Sequence, residues 1–187
     1  MRVILMGEYE KMVSGAMYNS DDPYLMELSL KAMETIIRAN QEPHGQKRSE
    51  IYREILGSTD GSFCICPGFA CDYGVNIHIG KNFFANHQCI MLDVCEIRFG
   101  DDCMCGPNVQ IYTATHPLNP LERNAGLEYG KSVSIGNNAW LGGSCVILPG
   151  VTLGDNVVVG AGAVVTQSFG DNVVLAGNPA QIIKIID

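Results

Sequence analysis

Ile135, Leu141, Ile147, Leu153, Val159 and Val165 are aliphatic and stand six residues apart, and this fixed step constrains the chain more than any other feature. The residue after each is Gly136, Gly142, Leu148, Gly154, Gly160 and Thr166, and the residue four after each is Ala139, Cys145, Val151, Val157, Ala163 and Phe169. Upstream, Ile79, Ala85, Met91 and Ile97 keep the step, and after a two-residue slip Phe99, Cys105 and Ile111 resume it. A period of six matches neither the turn of an α-helix nor a hairpin meander. It suits a coil of short parallel strands with a turn between each, the aliphatics pointing inward and the small residues beside them letting the backbone corner. The expected fold class is therefore all-β, a parallel β-helix. Handedness does not follow from the spacing.

The glycines divide the chain: Gly7, Gly15 and Gly45 precede Gly57, and the remainder of the 21 fall from Gly57 onward. Residues 1–57 read as an N-terminal α-helical segment and residues 58–187 as the coil. Within the first part, Asp22 before Pro23 is a helix start, an N-cap followed by proline at the first helical position. Met26, Leu30, Met33 and Ile37 then recur at helical spacing, as do Leu25, Leu28, Ala32 and Ile36, which predicts one wide apolar face. A second short helix is expected around Ile51/Ile55 and Tyr52/Leu56, stopped by Gly57. Between Ile111 and Val133 the hexads stop, leaving a long loop at 112–132, of a length that is usually functional. The apolar end, Ile182 to Ile186, follows a turn at Asn178-Pro179 and is expected to cap the open end of the coil.

Composition narrows the function. A net charge of -8, from 12 basic and 20 acidic residues, excludes the broad basic footprint of a nucleic-acid binder. No run approaches the length of a membrane span, and the apolar stretch from Val3 to Met6 is too short for a signal-peptide core, so the expected location is cytoplasmic. There the 8 cysteines are expected as reduced thiols. Cys89, Cys95, Cys103, Cys105 and Cys145 fall on inward positions, where a thiol behaves as a small hydrophobe. Cys64-Ile65-Cys66 and Cys103-Met104-Cys105 lack the spacing of zinc knuckles.

His116, between Thr115 and Pro117 in the long loop, is the best candidate for chemistry, because an imidazole titrates near neutrality and can take a proton from an attacking hydroxyl. Taken alone it serves equally as a structural histidine closing its own loop. His78 is expected to face outward, His44 to lie in the helix linker and His87 in a hexad turn. Gly160-Ala161-Gly162 sits inside the hexads and does not open a helix, so it reads as turn geometry and not as a phosphate loop.

Larger motifs carry a family resemblance over nearly the whole chain. They are Gly15-Ala16-Met17-Tyr18, the run Cys71 to Gly80 (CDYGVNIHIG), Asn82-Phe83-Phe84-Ala85-Asn86, the run Ile111 to Leu118 (IYTATHPL), Gly126-Leu127-Glu128-Tyr129-Gly130-Lys131, and Ala176-Gly177-Asn178-Pro179-Ala180. With these the chain resembles the maltose and galactoside O-acetyltransferases of the hexapeptide-repeat acyltransferases. The resemblance implies a left-handed β-helix, a homotrimer with sites in clefts between subunits, and acetyl-CoA as donor, with no metal required.

By the same resemblance His116 is the general base for direct transfer to a sugar hydroxyl, without an acetyl-enzyme. Asp72, Asn86 and Asp93 match acceptor contacts, Tyr18 and Asn19 close the cleft, and Glu128 orients His116 or binds the acceptor. Trp140, Gly143, Ala161, Thr166, Gln181 and Lys184 match the coenzyme groove. At Gly143 some relatives carry serine, so here only the backbone N–H remains for the oxyanion, and at Gln181 relatives often carry arginine, so one phosphate contact is weaker here.

Three other readings compete. A hexapeptide acetyltransferase for a non-sugar acceptor, such as an antibiotic or another small hydroxyl compound, shares donor and fold. A γ-type carbonic anhydrase would need three zinc-binding histidines, and the 4 present lack the close spacing. A scaffold without activity would tolerate loss of His116.

Overall fold

The computed structural model describes residues 6–187, so residues 3–5 of the short apolar run lie outside it. Three stacked parallel sheets form the sides of a triangular coil. The first face holds Ser58–Thr59, Ile77–Ile79, Ile97–Phe99, Val133–Ile135 and Thr152–Leu153; the second begins with Phe63–Ile65 and ends with Val173–Gly177; the third runs from Ala70–Cys71 to Val164–Val165. Each strand pairs in parallel with its counterpart one turn away, as in Gln110↔Ile90 and Gln110↔Val146. The hexad aliphatics are the core: Ile111, Leu141, Ile147 and Val165 are fully buried. The five cysteines expected inside are buried, and all eight are free.

The register slips have a spatial meaning. Inward residues step by six except from Cys71 to Ile79, from Met91 to Phe99 and from Ile111 to Ile135, where the step lengthens, and from Val165 to Phe169, where it shortens to four. Every one of these extra lengths lies at the corner between the third and first faces. Two become enlarged turns, at 72–76 and 93–96, and the third is the long loop. Because strand pairing fixes each turn on the turn below, added residues can leave only at a corner. This third-to-first corner is therefore where the coil carries its irregular chemistry.

The loop is ordered. Ala114–Thr115 and Leu127–Gly130 pair antiparallel, and Tyr18–Asn19 joins them as a third strand. Gly130 is required by close approach: a Cβ there would stand 2.6 Å from Cys95 Sγ and 3.1 Å from the Thr113 carbonyl oxygen. A short helix, Pro120–Asn124, sits at the loop tip, its N-cap Asn119 accepting from Leu121 N–H at 3.0 Å.

The N-terminal segment contains α1 (Glu8–Val13), α2 (Pro23–Gln41) and α3 (Gly45–Tyr52). The Asp22 carboxylate caps α2, accepting from Tyr24 N–H at 3.0 Å and Leu25 N–H at 3.3 Å. The wide apolar face expected on α2 is split. Leu25, Ala32 and Ala39 are fully buried, whereas Met26, Leu30, Met33 and Ile37 are each more than half exposed. Helix α3 begins and ends earlier than the spacing predicts. Its inner face is polar: Arg48 donates to the carbonyls of Ile65 and Glu42, and Ser49 to that of Phe63, so hydrophobic periodicity could not reveal it. Residues 53–55 continue as a turn.

The C-terminal strand Ala180–Ile185 folds back antiparallel on Val173–Gly177. It covers the last strand edge of the second face, but Ile182, Ile183 and Ile185 remain about half exposed and do not plug the core. No helix among the described residues is long and apolar enough to cross a membrane.

Candidate active site

At the third-to-first corner the enlarged turns are held by one carboxylate. Asp93 is fully buried and accepts from the N–H groups of Asp72 at 3.0 Å, Tyr73 at 2.9 Å and Asn76 at 3.2 Å. The Asn76 amide returns a bond of 2.7 Å to the Asp93 carbonyl. Burial pushes the Asp93 carboxyl up to about 7, against the lowering effect of its backbone donors. Asp93 is thus placed beneath the site, where it shapes the turn that presents Asp72. Below the loop, Thr113 is also fully buried, its hydroxyl donating to the Leu92 carbonyl at 2.7 Å and accepting from Cys95 N–H at 2.8 Å.

Above this platform lies a cleft of about 450 Å³ bounded by Tyr18, Asp72, Tyr73, Ala114 and Glu128 on one side and by α2 on the other. Tyr18 donates to Glu128 Oε2 at 2.8 Å. Burial and that bond hold the Tyr18 phenol well above its usual range. Burial first, then the charge of Glu128, raises the Asp72 carboxyl to about 6. The carboxyls and phenol give a dense set of donors and acceptors suited to a polyhydroxylated ligand.

His116 follows the strand Ala114–Thr115 directly and is exposed, two residues beyond the Ala114 that lines the cleft. Asn19 is exposed beside Tyr18, its side chain accepting from Asp21 N–H at 3.0 Å. Tyr73, which contributes to the cleft wall, escaped sequence reading; its signal was its place inside the first enlarged turn.

The second set of expected residues lies elsewhere. Gly143 and Ala161 stack on successive turns at the corner between the second and third faces, and Asn86 stands at the same corner two turns before Gly143. The backbone is tightly nested there: a Cβ on Gly142 would stand 2.6 Å from Ala161 N, and one on Gly106 2.7 Å from Gly143 N. The result is a smooth, closely nested edge in which Gly142 is buried and Gly106, Gly143 and Gly160 are half-buried. Trp140 is half exposed on the second face, and Gln181 and Lys184 are exposed on the C-terminal strand that extends that face. Thr166 is exposed at the far edge of the third face. Within one chain the third face, three residues or about 10 Å across, separates Asp72 and His116 from Asn86 and Gly143. His44 precedes α3, His87 is exposed in its turn, and His78 bonds Ser58 Oγ at 3.0 Å. No cluster of three or more metal-ligating side chains occurs among the described residues.

A three-faced parallel coil stepping by six residues is the architecture of hexapeptide-repeat transferases. Residues 132–167 match the family model for bacterial transferase hexapeptide repeats, and residues 11–61 match the maltose acetyltransferase hexapeptide capping motif. A protein of Dictyostelium discoideum named as an acetyltransferase is 53% identical over 181 residues, covering 97% of this chain and 95% of its own. The crystal structure of a maltose O-acetyltransferase from Clostridium difficile 630 is similar with a TM-score of 0.90 and 46% identity, over 97% of this chain and 98% of that one. A galactoside acetyltransferase in complex with coenzyme A gives a TM-score of 0.93 at 34% identity, over 98% and 92% of the two chains. The chain belongs to the maltose and galactoside O-acetyltransferase family of hexapeptide-repeat enzymes, and it is an acetyltransferase.

Proposed function

We propose that this enzyme moves an acetyl group from acetyl-CoA to a hydroxyl of a maltose-, glucose- or galactoside-like sugar, with His116 as general base. The observation that carries the reading is the cleft in which Tyr18, Asp72 and Glu128 converge beside Ala114, whose strand leads directly into His116. Sugar hydroxyls bond to Asp72 and Glu128, and Asn19 borders the entrance. As the imidazole takes the hydroxyl proton, the oxygen attacks the thioester carbonyl, the carbon–sulfur bond breaks, and the proton is returned to the departing sulfur. No acetyl-enzyme forms on this route.

The donor lies along the nested corner, where the exposed backbone of Gly143 and Ala161 meets the pantetheine amides and Asn86 borders the reacting end. Trp140 and Thr166 flank this groove, and Gln181 and Lys184 face the phosphates. The separation of the two residue sets across the third face supports a homotrimer, in which one subunit's His116 corner meets its neighbour's Gly143 corner and a heterologous contact closes the ring. Eight free thiols suit a reducing, cytoplasmic setting.

Free-thiol release from acetyl-CoA tests the reading, wild type beside His116→Ala, with maltose, glucose, isopropyl thiogalactoside, serine and chloramphenicol. Sugar-dependent release, at least about 100-fold lower in the variant, is expected. Release with chloramphenicol alone would overturn the sugar assignment, and unchanged release in His116→Ala would overturn the base.

A further inference from the structure

A second cluster of reactive side chains lies on the first face. Ser58, His78 and Arg98 are register partners on three successive turns and point outward. Ser58 Oγ stands 3.0 Å from His78 Nδ1. On the other side of the ring, His78 Nε2 is 3.8 Å from Glu96 Oε1. Glu96 ends the enlarged turn at 93–96, and Arg98 fixes it through two bonds, Nε to Oε2 at 2.8 Å and Nη2 to Oε1 at 2.7 Å. The imidazole lies against bare backbone: a Cβ on Gly57 would stand 2.7 Å from His78 Cε1. Burial, then the charge of Arg98, lowers the His78 pKa below its ordinary value, so the ring is neutral at pH 7. With the ring proton on Nε2, toward Glu96, Nδ1 accepts from the Ser58 hydroxyl. Ser58 itself is exposed and open to a substrate. Gly57 also lines a cavity of about 280 Å³ whose walls include Leu28, Ile55, Leu56 and Val75, with Lys31 as its cation.

We infer a second reactive centre that cleaves short-chain carboxylic esters, with Ser58 as nucleophile, His78 as its base and Glu96 as the residue that positions the imidazole. It uses none of Asp72, Glu128 or His116 and is independent of acetyl transfer. Ser58 Oγ bonds to the acyl carbon as its proton passes to His78 Nδ1, and Lys31 faces the charge on the acyl oxygen. The bond from acyl carbon to alkoxy oxygen then breaks, and the alcohol leaves with the proton from Nδ1. Water attacks the acyl-Ser58 ester, gives its proton to the same nitrogen, and releases the carboxylic acid and the free serine. Across the ring, the fixed Glu96 carboxylate stabilises the imidazolium formed in each step. The apolar cavity beside Gly57 receives the acyl chain.

The test uses the full-length protein carrying His116→Ala, so that the loop histidine contributes no base, with p-nitrophenyl butyrate as substrate and a fluorophosphonate as covalent probe, which loses fluoride as a serine is phosphonylated. Label on Ser58, located by peptide mass, and hydrolysis of the ester are expected. Adding Ser58→Ala is expected to abolish both, and adding His78→Gln to slow both by at least about 100-fold. Absence of label from Ser58, or hydrolysis unchanged by Ser58→Ala, would overturn the inference. Equal labelling in His78→Gln would overturn it too, leaving Ser58 an exposed serine only. Glu96→Gln keeps the size of the side chain and gives a second readout. Glu96 and Arg98 are the charged groups beside the ring, so loss of the carboxylate is expected to slow hydrolysis and move its pH midpoint downward, and an unmoved midpoint would overturn the part assigned to Glu96. In the protein with His116 intact, Ser58→Ala is expected to leave thiol release from acetyl-CoA unchanged; a loss there would overturn the independence of the two centres.

Discussion

Tyr18 and Glu128 are 110 positions apart in the chain and are joined twice, as Cα partners in an antiparallel pair and through a 2.8 Å bond from the phenol to the carboxylate. The N-terminal segment and the 112–132 loop are therefore one unit. Tyr18→Phe removes the hydroxyl and leaves Glu128 to find another donor. The expected cost is about 1 to 2 kcal/mol of unfolding free energy, together with a rise in acceptor KM exceeding any rise in KM for acetyl-CoA. Urea denaturation and two-substrate kinetics check both parts.

Asp93 organises the corner by accepting three backbone N–H groups. Asp93→Ala strands these donors in a fully buried place, and a loss of about 3 kcal/mol or more is expected. Asp93→Asn keeps the volume but turns an N–H₂ toward one of the donors, and an intermediate loss is expected. Denaturation midpoints of the two variants give the order.

Burial raises the Asp72 carboxyl to about 6, from an ordinary aspartate value of about 4. The folded state therefore binds more protons than the unfolded state between these values, so this group's stabilising contribution is full below about pH 4 and is lost as pH rises through about 6. Replacing Asp72 with Asn removes that dependence. Relative to wild type, Asp72→Asn is expected to gain stability by on the order of 2 kcal/mol between pH 4.5 and 7.5. Paired urea titrations at the two pH values measure the difference, and a flat difference would refute it.

Gly142 stands where successive turns nest, and an added Cβ would meet Ala161 N and the Val159 carbonyl oxygen, each at 2.6 Å. Both neighbours are backbone and cannot swing aside. Gly142→Ala is expected to cost about 1 to 3 kcal/mol and to raise KM for acetyl-CoA more than KM for the sugar. Thermal unfolding and initial-rate kinetics read the two effects.

Much of this architecture was legible because a six-residue period has few solutions: Leu141, Ile147 and Val165 could only be inward, and they are. The slip between Ile97 and Phe99 was visible too, yet its meaning was not, since a one-dimensional register cannot tell which corner of a triangle absorbs extra residues. On α2 two sets of apolar residues have equal helical spacing, and periodicity alone cannot decide which set is covered. Docking against Tyr18 and Tyr73 buries Leu25 and leaves Met26 and Met33 wet. The polar inner face of α3 hid Arg48 and Ser49 for the opposite reason. Asp93 and Asp72 look alike in sequence; their difference is depth, one beneath the turn and one at its surface.

The confinement of every register slip to one edge of the coil separates folding from invention. Each strand takes its position from the turn above and the turn below, so the polypeptide can lengthen at this edge without moving a single inward side chain. A family built this way can exchange the 112–132 segment, or widen the turns at 72–76 and 93–96, and acquire a new acceptor while its core is inherited unchanged. Grafting that edge alone, with its helical partner α2, is the economical route to retargeting the enzyme.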